Sequence, residues 1–206
     1  MGAVAPRPKI ARPIILIGAG GIAHDAHLPA YAKAKFPVAA VVDLDRDRAT
    51  RLATAFGIPR VFATIAEAIG YAPPETVFDC AVPAPALQAV LRQLPDGAAC
   101  LLKKLMGETL VQAEEILAIF RSKRLTAAVN FQLRWAPAIM AARALHDAGA
   151  IGAIHDCEVS VSVHTPWELW SFLEHAPRLE MLYHSIHYVD LIRSWFGNPR
   201  SVMQKR

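Results

Sequence analysis

The sequence predicts an α/β protein, with a doubly wound parallel sheet over residues 1–130 and a partial α/β domain with an open sheet over residues 131–206. Two observations predict this fold class. Short apolar runs that are continuous, and not alternating, recur along the chain, which is typical of parallel strands covered on both faces. The first of these runs, Ile14 to Ile17, ends directly in a glycine-rich turn that opens a helix.

Strands and helices alternate regularly up to Asn130, as in a sheet built from repeated strand–helix units. Signals for helix ends support several of the helices: Gly57 follows one, and Thr109 with Gln112 has the spacing of a capping box. Pro29 is expected to interrupt the first helix near its middle. The predicted strands cover residues 14–17, 38–45, 60–63, 76–82, 98–103 and 125–130, and the predicted helices cover 22–35, 46–56, 65–70, 85–94 and 109–121.

The pattern changes after Asn130. The remaining sequence predicts an alanine-rich helix over residues 136–148, one strand over 154–163 and a helix over 184–196. A lone strand cannot satisfy its own backbone hydrogen bonds or bury its faces. The second domain is therefore expected to be incomplete.

The composition is that of a folded globular protein, because 54% of the 206 residues are hydrophobic and 19% are charged. The formal charge is +4, and the basic residues are scattered, which argues against nucleic acid as the main partner. Cys80, Cys100 and Cys157 have no CxxC spacing and are expected to be reduced, mostly buried thiols of a cytoplasmic protein. Neither a signal peptide nor a membrane span is predicted, since glycines break the first apolar run.

The glycine turn has the spacing of a dinucleotide-binding fingerprint, G-x-G-x-x-G/A, formed by Gly18, Gly20 and Ala23. Gly18 allows the tight turn, Gly20 lets the backbone approach a pyrophosphate, and Ala23 keeps the helix close to the strand. The backbone of Gly21 and Ile22, at the start of the helix, is expected to face the phosphates. This part of the chain is therefore predicted to be a Rossmann domain that binds a dinucleotide.

Asp43 follows Gly18 by 25 residues, at the end of the second predicted strand. A carboxylate there would accept hydrogen bonds from a ribose diol and repel a 2′-phosphate, so NAD(H) is the favoured cofactor. Arg46 is near enough to soften that preference, and NADP(H) is the alternative.

Several segments, in consistent order along nearly the whole chain, resemble the Gfo/Idh/MocA oxidoreductases, which are related to glucose-fructose oxidoreductase and inositol dehydrogenase. The segments are IGAGGIAHDAHLPAY from Ile17, VVDLDRDRA from Val41, KKLMGETLVQAEEI from Lys103, NFQLRWAP from Asn130 and HSIHYVDLIRSWFGNP from His184.

The resemblance implies a nicotinamide-binding domain followed by an open-sheet domain that carries substrate and oligomer contacts. It also implies an NAD(P)-dependent dehydrogenase or reductase whose small-molecule substrate is a sugar, cyclitol or related polyol, or the corresponding keto-sugar. Lys104 matches the lysine of the family's Glu-Lys-Pro motif, which contacts the substrate hydroxyl beside the nicotinamide. His187, followed by Asp190 in an H-x-x-D pattern, matches the family's acid–base histidine. A homo-oligomer is expected if the second domain is complete.

The sequence departs from the family pattern in four respects. Lys103 stands in place of the usual Glu or Gln, and Leu105 in place of Pro. Tyr183 stands where a carboxylate often precedes the histidine by four residues. The chain of 206 residues is also shorter than family members, and it is expected to be shortened at its C-terminal end.

Each candidate residue has a plainer alternative role. Lys104 could be a solvated lysine at a strand end. Lys103 could face solvent, or its like charge could lower the pKa of Lys104. His184, His187 and Asp190 could line one side of a helix as metal ligands, but no further ligand cluster is evident, and no metal is predicted.

The remaining candidates lie beside these motifs. Asn130 and Arg134 follow the last Rossmann strand and, like His184 and Asp190, are candidate substrate contacts, although Arg134 could instead pair with a carboxylate. His24 and His27 are expected to have packing or cofactor-edge roles. The aromatic side chains that follow the second domain's strand could pack on its sheet, line a substrate site or contact another subunit; they are Trp167, Trp170 and Phe172.

Three functions remain open. The leading one is an NAD(P)-dependent oxidoreductase in which Lys104 polarises the substrate oxygen and His187 exchanges its proton. The second is a dinucleotide-binding protein without catalysis, either a sensor or a truncated remnant. The third is a metal hydrolase that uses the helix of His184.

Overall fold

The computed structural model describes residues 5–162 and 179–203. The chain divides into two compact units, one of residues 8–130 and one of the first seven residues together with residues 131–206. The segment around Trp167, Trp170 and Phe172 lies outside the described residues. No helix among the described residues is long and apolar enough to cross a membrane.

A six-stranded parallel sheet forms the first unit, in the order β3-β2-β1-β4-β5-β6. Its strands are β1 (Ile14–Ile17), β2 (Val38–Val42), β3 (Val61–Phe62), β4 (Val77–Cys80), β5 (Ala99–Leu102) and β6 (Thr126–Val129). The order reverses at β1, which lies between β2 and β4, and this is the topological switch point of a doubly wound sheet. The predicted fold class is confirmed.

Helices cover both faces of this sheet: α1 (Leu28–Ala34), α2 (Arg46–Phe56), α3 (Ile65–Tyr71), α4 (Ala84–Gln93) and α5 (Leu110–Ser122). Because side chains alternate along a strand, Ile15 and Ile17 lie in one core cluster with residues of α3, α4 and α5. Leu16 lies in the other cluster, with residues of α1 and α2. This double burial is why the strands are continuous apolar runs.

The helix starts follow their sequence signals. Asp45 caps α2 by accepting a hydrogen bond from the backbone of Arg48, and Thr64 with Glu67 forms a complete capping box on α3. The α-helical pattern of the first helix is interrupted next to Pro29, as predicted. A π-helical turn, Ala23–His27, precedes α1, and Pro29 lies in the first turn of α1, where no backbone donor is needed.

The second unit contains helices α6 (Pro137–Asp147) and α7 (Ile186–Phe196) among its described residues, with a 3₁₀ turn at Gln132–Trp135 and a π-helical turn at Glu180–Ser185. The predicted strand over 154–163 is wrong for its described part, since residues 154–162 form no strand. The alternation of valine and serine there favours a strand locally, but a strand needs a pairing neighbour. Val159 and Val161 are consequently exposed.

The three cysteines have two different environments. Cys80 and Cys100 are buried in β4 and β5, and burial raises the pKa of Cys80 and raises that of Cys100 to about 11. Two of the three thiols are thus buried, as predicted, and Cys157 is the exposed one, because the segment that holds it does not enter a sheet.

Candidate functional site

The glycine turn begins at Gly18, directly after the carboxyl end of β1. Only glycine fits at this position. Gly18 has φ +104°, and a Cβ there would lie 2.7 Å from the carbonyl oxygen of Ala81. Its N–H donates to the carbonyl of Val42, at 2.8 Å, and so joins the turn to the end of β2. The turn is therefore fixed by close packing between β1 and β4.

Open space lies beside the same turn at Gly20, where a Cβ would have no heavy atom within 4 Å. Gly20 accepts hydrogen bonds from the N–H groups of Ala23 and His24, which begins the helical turn. Ala23 is fully buried against the sheet. A tight turn with an open backbone before a helix start fits the pyrophosphate of a dinucleotide.

A groove of about 550 Å³ borders the turn on the side of α2. Two arginines of α2, Arg48 and Arg51, contribute positive charge to it. The groove is lined by Ala19, Gly20, Gly21, His24, Asp25, Arg48, Arg51, Leu52 and Ala55.

Asp43 lies at the end of β2 and is held on both carboxylate oxygens. One oxygen accepts the N–H of Ala19 in the glycine turn, at 2.6 Å. The other accepts the N–H of Asp45, at 2.8 Å, and the guanidinium of Arg48, at 2.7 Å. Burial alone would raise the pKa of Asp43, but these hydrogen bonds outweigh it and lower the pKa.

The cation that pairs with Asp43 is Arg48, in the first turn of α2. Arg46, the arginine that the sequence offers as softening the preference for NAD, is the first residue of α2 and remains a proposed cofactor contact. Asp45 is the N-cap residue of α2. Its cap orients the first turn of the helix so that the Arg48 side chain reaches Asp43.

Lys103 and Lys104 follow β5 directly, on the same carboxyl edge of the sheet. Burial lowers the pKa of both ammonium groups, and the charge of Lys103 lowers that of Lys104 further. Leu105, in the place of the family's proline, is buried, and the peptide bond that joins it to Lys104 is cis. Gly107 then turns the chain, at φ +125°, toward α5.

A buried polar cluster, which the sequence did not predict, lies in the same unit. Asp79, within β4, is fully buried, and one of its oxygens contacts Nδ1 of His27 at 2.7 Å and the hydroxyl of Tyr31 at 2.8 Å. Nε2 of His27 lies 3.5 Å from Nδ2 of Asn130, the residue that follows β6. The one available signal was a single acidic residue within an otherwise apolar strand.

The second unit holds the other predicted site residues. Arg134 forms a bidentate ion pair with Asp190, with 2.6 Å between Nε and Oδ2. This is the ion pair that the sequence left as an alternative role for Arg134, and its hydrogen bonds raise the pKa of the guanidinium. His187 is buried on α7, with its ring edge-on to Phe131 at 6.0 Å between centroids.

His184 has the carboxylate partner that the family pattern gives to its acid–base histidine. Nδ1 of His184 lies 3.0 Å from Oε2 of Glu180, four residues earlier, and this contact lowers the pKa of Glu180. Over residues 5–162 and 179–203, no group of three or more potential metal ligands occurs.

The structure thus brings Gly18, Gly20 and Asp43 together at one edge of the sheet in the first unit, and Arg134 with Asp190 in the second. Lys104 belongs to the first unit and His187 to the second.

Several solved structures of similar fold are dehydrogenases or oxidoreductases. One is an oxidoreductase from Agrobacterium radiobacter in complex with NAD+, L-tartaric acid and magnesium. It matches with a TM-score of 0.74 and 20% identity, and the match covers 92% of this chain and 56% of the oxidoreductase chain. The WlbA dehydrogenase from Bordetella pertussis, in complex with NADH and UDP-GlcNAcA, has a TM-score of 0.74 and 18% identity over 93% of this chain and 57% of its own. A myo-inositol dehydrogenase from Corynebacterium glutamicum has a TM-score of 0.74 and 18% identity over 92% of this chain and 56% of its own.

These likenesses confirm the predicted resemblance at the level of the fold, since inositol dehydrogenases are among the structures matched. The chain spans just over half the length of the solved structures that it matches. No protein-family model matches the sequence, and no curated protein matches it either.

Proposed function

We propose that the protein is an NAD-dependent oxidoreductase of the Gfo/Idh/MocA type, acting on a CH–OH or carbonyl carbon of a sugar, cyclitol or related polyol. The observation that carries this proposal is the glycine turn. Gly18 packs against β4, Gly20 leaves an open backbone, and Asp43 lies beside them at the switch point of a parallel sheet. Two of the similar structures are complexes with NAD+ or NADH, which supports the same cofactor here.

The chain's own residues suit a dinucleotide in two places. The backbone from Gly18 to Ile22 would hold the pyrophosphate, and the carboxylate of Asp43 would accept from the ribose diol. The lowered pKa of Asp43 keeps that carboxylate ionised at neutral pH. When bound, the nicotinamide supplies a hydride donor or acceptor. NAD(H) is favoured, and Arg48 in the groove keeps NADP(H) as an alternative to test.

Lys104 is proposed to hold the substrate oxygen. Its lowered pKa makes the ammonium a better proton donor, and burial strengthens its hydrogen bond to an oxygen that gains negative charge. His187 is proposed to exchange the proton of that oxygen. Asn130, His184 and the Arg134–Asp190 pair remain proposed substrate contacts, and residues 131–206 the proposed substrate and oligomer domain.

The cofactor part of the proposal is tested by titrating NADH and NADPH, with fluorescence as the readout, into the wild-type chain and two glycine variants. Gly20→Ala adds a methyl group where the pyrophosphate would lie, and we expect it to weaken NADH binding by about tenfold or more, since about 1.4 kcal/mol corresponds to tenfold. Gly70→Ala is the matched control, because it also meets no atom within 4 Å. Equal NADH affinity in both variants would contradict the placement of the cofactor.

The catalytic part is tested by a turnover screen over polyols, keto-sugars and sugar acids with bound cofactor. We expect Lys104→Ala and His187→Ala each to lower kcat by about 10²-fold or more, the usual contribution of a positioned acid or base. NADH affinity should survive in His187→Ala. Full turnover in both variants would show that the roles are assigned wrongly.

A dinucleotide-binding protein without catalysis is the second candidate. It is favoured by the three departures from the family motif, Lys103, Leu105 and Tyr183. NADH binding without turnover on any substrate of the screen would support it over the oxidoreductase.

A further inference from the structure

The polar cluster of Tyr31, Asp79, His27 and Asn130 is costly to bury, and the function proposed above uses only Asn130, as a substrate contact. Asp79 is 0% exposed and His27 is 6% exposed, so neither group is solvated. A buried carboxylate in the middle of a parallel strand costs free energy unless its partners compensate for the lost water. The cluster therefore needs an explanation beyond packing.

The contacts of the cluster favour one tautomer of His27. Nδ2 of Asn130 can only donate, so Nε2 of His27, which faces it, has to accept. The proton of the neutral ring is then on Nδ1, where it is donated to Asp79. Asp79 also accepts from Tyr31, so the carboxylate has two donors that fix its orientation. Each member thus orients the next, from Tyr31 to Asn130.

At the end of this series of hydrogen bonds, the side-chain oxygen of Asn130, Oδ1, is an acceptor without a donor among the described residues. The carbonyl oxygen of Asn130 accepts no hydrogen bond from any side chain or backbone group in the described parts of the chain. Asn130 is half-buried, and its N–H donates to the carbonyl of Leu102, at 2.8 Å, which fixes its backbone at the carboxyl end of β6. A fixed amide therefore offers an acceptor at the edge of the sheet.

Asn130 and Asp43 lie at the same carboxyl edge of the sheet but on opposite sides of β1. The sheet order places β2 on one side of β1, and β4, β5 and β6 on the other. A dinucleotide whose ribose binds at the end of β2 and whose pyrophosphate binds at the end of β1 extends its second half toward the ends of β4, β5 and β6. The nicotinamide half carries a carboxamide N–H₂, which is an uncharged donor.

We propose that Tyr31, Asp79 and His27 are positioning residues that hold the Asn130 amide with its carbonyl toward the cofactor, where it accepts a hydrogen bond from the nicotinamide carboxamide. This inference rests on the proposed dinucleotide site. A purely structural cluster would stabilise the fold without distinguishing among cofactor analogues.

The test compares three probes by titration: NADH, the reduced 3-acetylpyridine analogue, which lacks the N–H₂ donor, and ADP-ribose, which lacks the nicotinamide. We expect the wild-type chain to prefer NADH over the acetylpyridine analogue by about fivefold, the usual effect of about one net hydrogen bond. Asn130→Ala and His27→Phe should both reduce this ratio to about one, while their affinity for ADP-ribose stays that of the wild type.

Two further variants separate positioning from loss of stability. His27→Gln retains an acceptor for Asn130 and should restore part of the preference. Leu28→Ala removes a buried side chain next to His27 without touching the cluster, and it should lower stability while the NADH preference is unchanged.

An unchanged NADH preference in Asn130→Ala, with normal ADP-ribose binding, would overturn the positioning role and leave the proposed function intact. Absence of binding of all three probes to the wild-type chain would overturn both. Because Asn130→Ala changes a half-buried residue at a strand end, this result does not depend on whether His27→Phe folds.

Discussion

Two carboxylates of one sheet, Asp43 and Asp79, are held in different ways. Asp43 ends β2 and has donors on both oxygens, two of them backbone N–H groups. Asp79 lies within β4 and has two side-chain donors on one oxygen. Its other oxygen has no hydrogen-bond partner among the described residues.

The difference shows two uses of a buried carboxylate. One binds backbone N–H groups at the rim of a groove, and the other orients polar side chains within the core. Asp43 accepts hydrogen bonds from Ala19, Asp45 and Arg48, whose donor groups would otherwise bind water at the rim of the groove. Asp79 is the acceptor for both His27 and Tyr31, so removal of Asp79 leaves Nδ1 of the buried His27 and the hydroxyl of the half-buried Tyr31 without that acceptor. Four substitutions test this contrast.

Asp79→Ala is expected to have the largest effect. Removing one member of a buried, hydrogen-bonded set costs about 3–5 kcal/mol in the free energy of unfolding, because the remaining polar groups lose their compensation. Urea unfolding followed by circular dichroism measures this. A loss below about 1 kcal/mol, within the range of an ordinary point mutation, would show that the cluster is not tightly coupled.

Tyr31→Phe removes one donor and keeps the ring. Burial, followed by the Asp79 charge and hydrogen bond, raises the pKa of Tyr31 well above its usual value, so the hydroxyl donates throughout the accessible pH range. We expect a loss of about 1.5–3 kcal/mol, the range for hydrogen bonds to charged groups. Tyr71→Phe, at an exposed tyrosine, is the control and should change the free energy of unfolding by less than about 0.5 kcal/mol.

Asp43→Asn is expected to cost about 1–2 kcal/mol at pH 7, because the amide oxygen can replace only one carboxylate oxygen and the N–H₂ group would face a donor at the other position. The pKa of Asp43 is lowered in the folded state, so its charge stabilises the fold above the unfolded pKa of about 3.9 and ceases to do so as the pH falls through the folded value. The difference between wild type and variant should therefore be constant above about pH 5 and shrink toward pH 2. Urea unfolding at pH 7 and pH 3 provides the comparison, and an equal difference at both would contradict it.

Arg48→Ala should have the smallest effect. The Arg48 side chain is 48% exposed, so its ion pair with Asp43 is screened by water and should contribute about 0.2–1 kcal/mol. Thermal unfolding at low salt and at 1 M salt measures it. The variant and the wild type should be closer in Tm at high salt, and an effect that is independent of salt would mean that packing, and not charge, is lost.

The same contrast explains how much the sequence revealed. Asp43 was predicted because its position depends on a spacing of 25 residues within one strand–helix–strand unit. The pairing of His27 with Asp79 spans 52 residues and two elements whose separation in space no local pattern encodes. The strands were predicted because burial on both faces requires continuous apolar runs.

The strand predicted at 154–163 failed for a related reason. The alternation around Val159 and Val161 reports a local preference, whereas strand formation depends on a partner elsewhere in the chain. The Arg48–Asp43 pair is a smaller case that the sequence did not predict, since the direction of each side chain depends on where the capped helix begins. Sequence patterns thus located the backbone of the site well and its long-range side-chain contacts poorly.

The environments of the three cysteines give the protein a chemical reporter. A maleimide reacts with the thiolate at an accessible sulfur, so Cys157 should be labelled within the folded state. Cys80 and Cys100, in adjacent central strands, can react only when those strands separate from their covering helices. Once Cys157 has been labelled, the rate at which further label is incorporated measures how often the centre of the sheet opens, without any engineered probe.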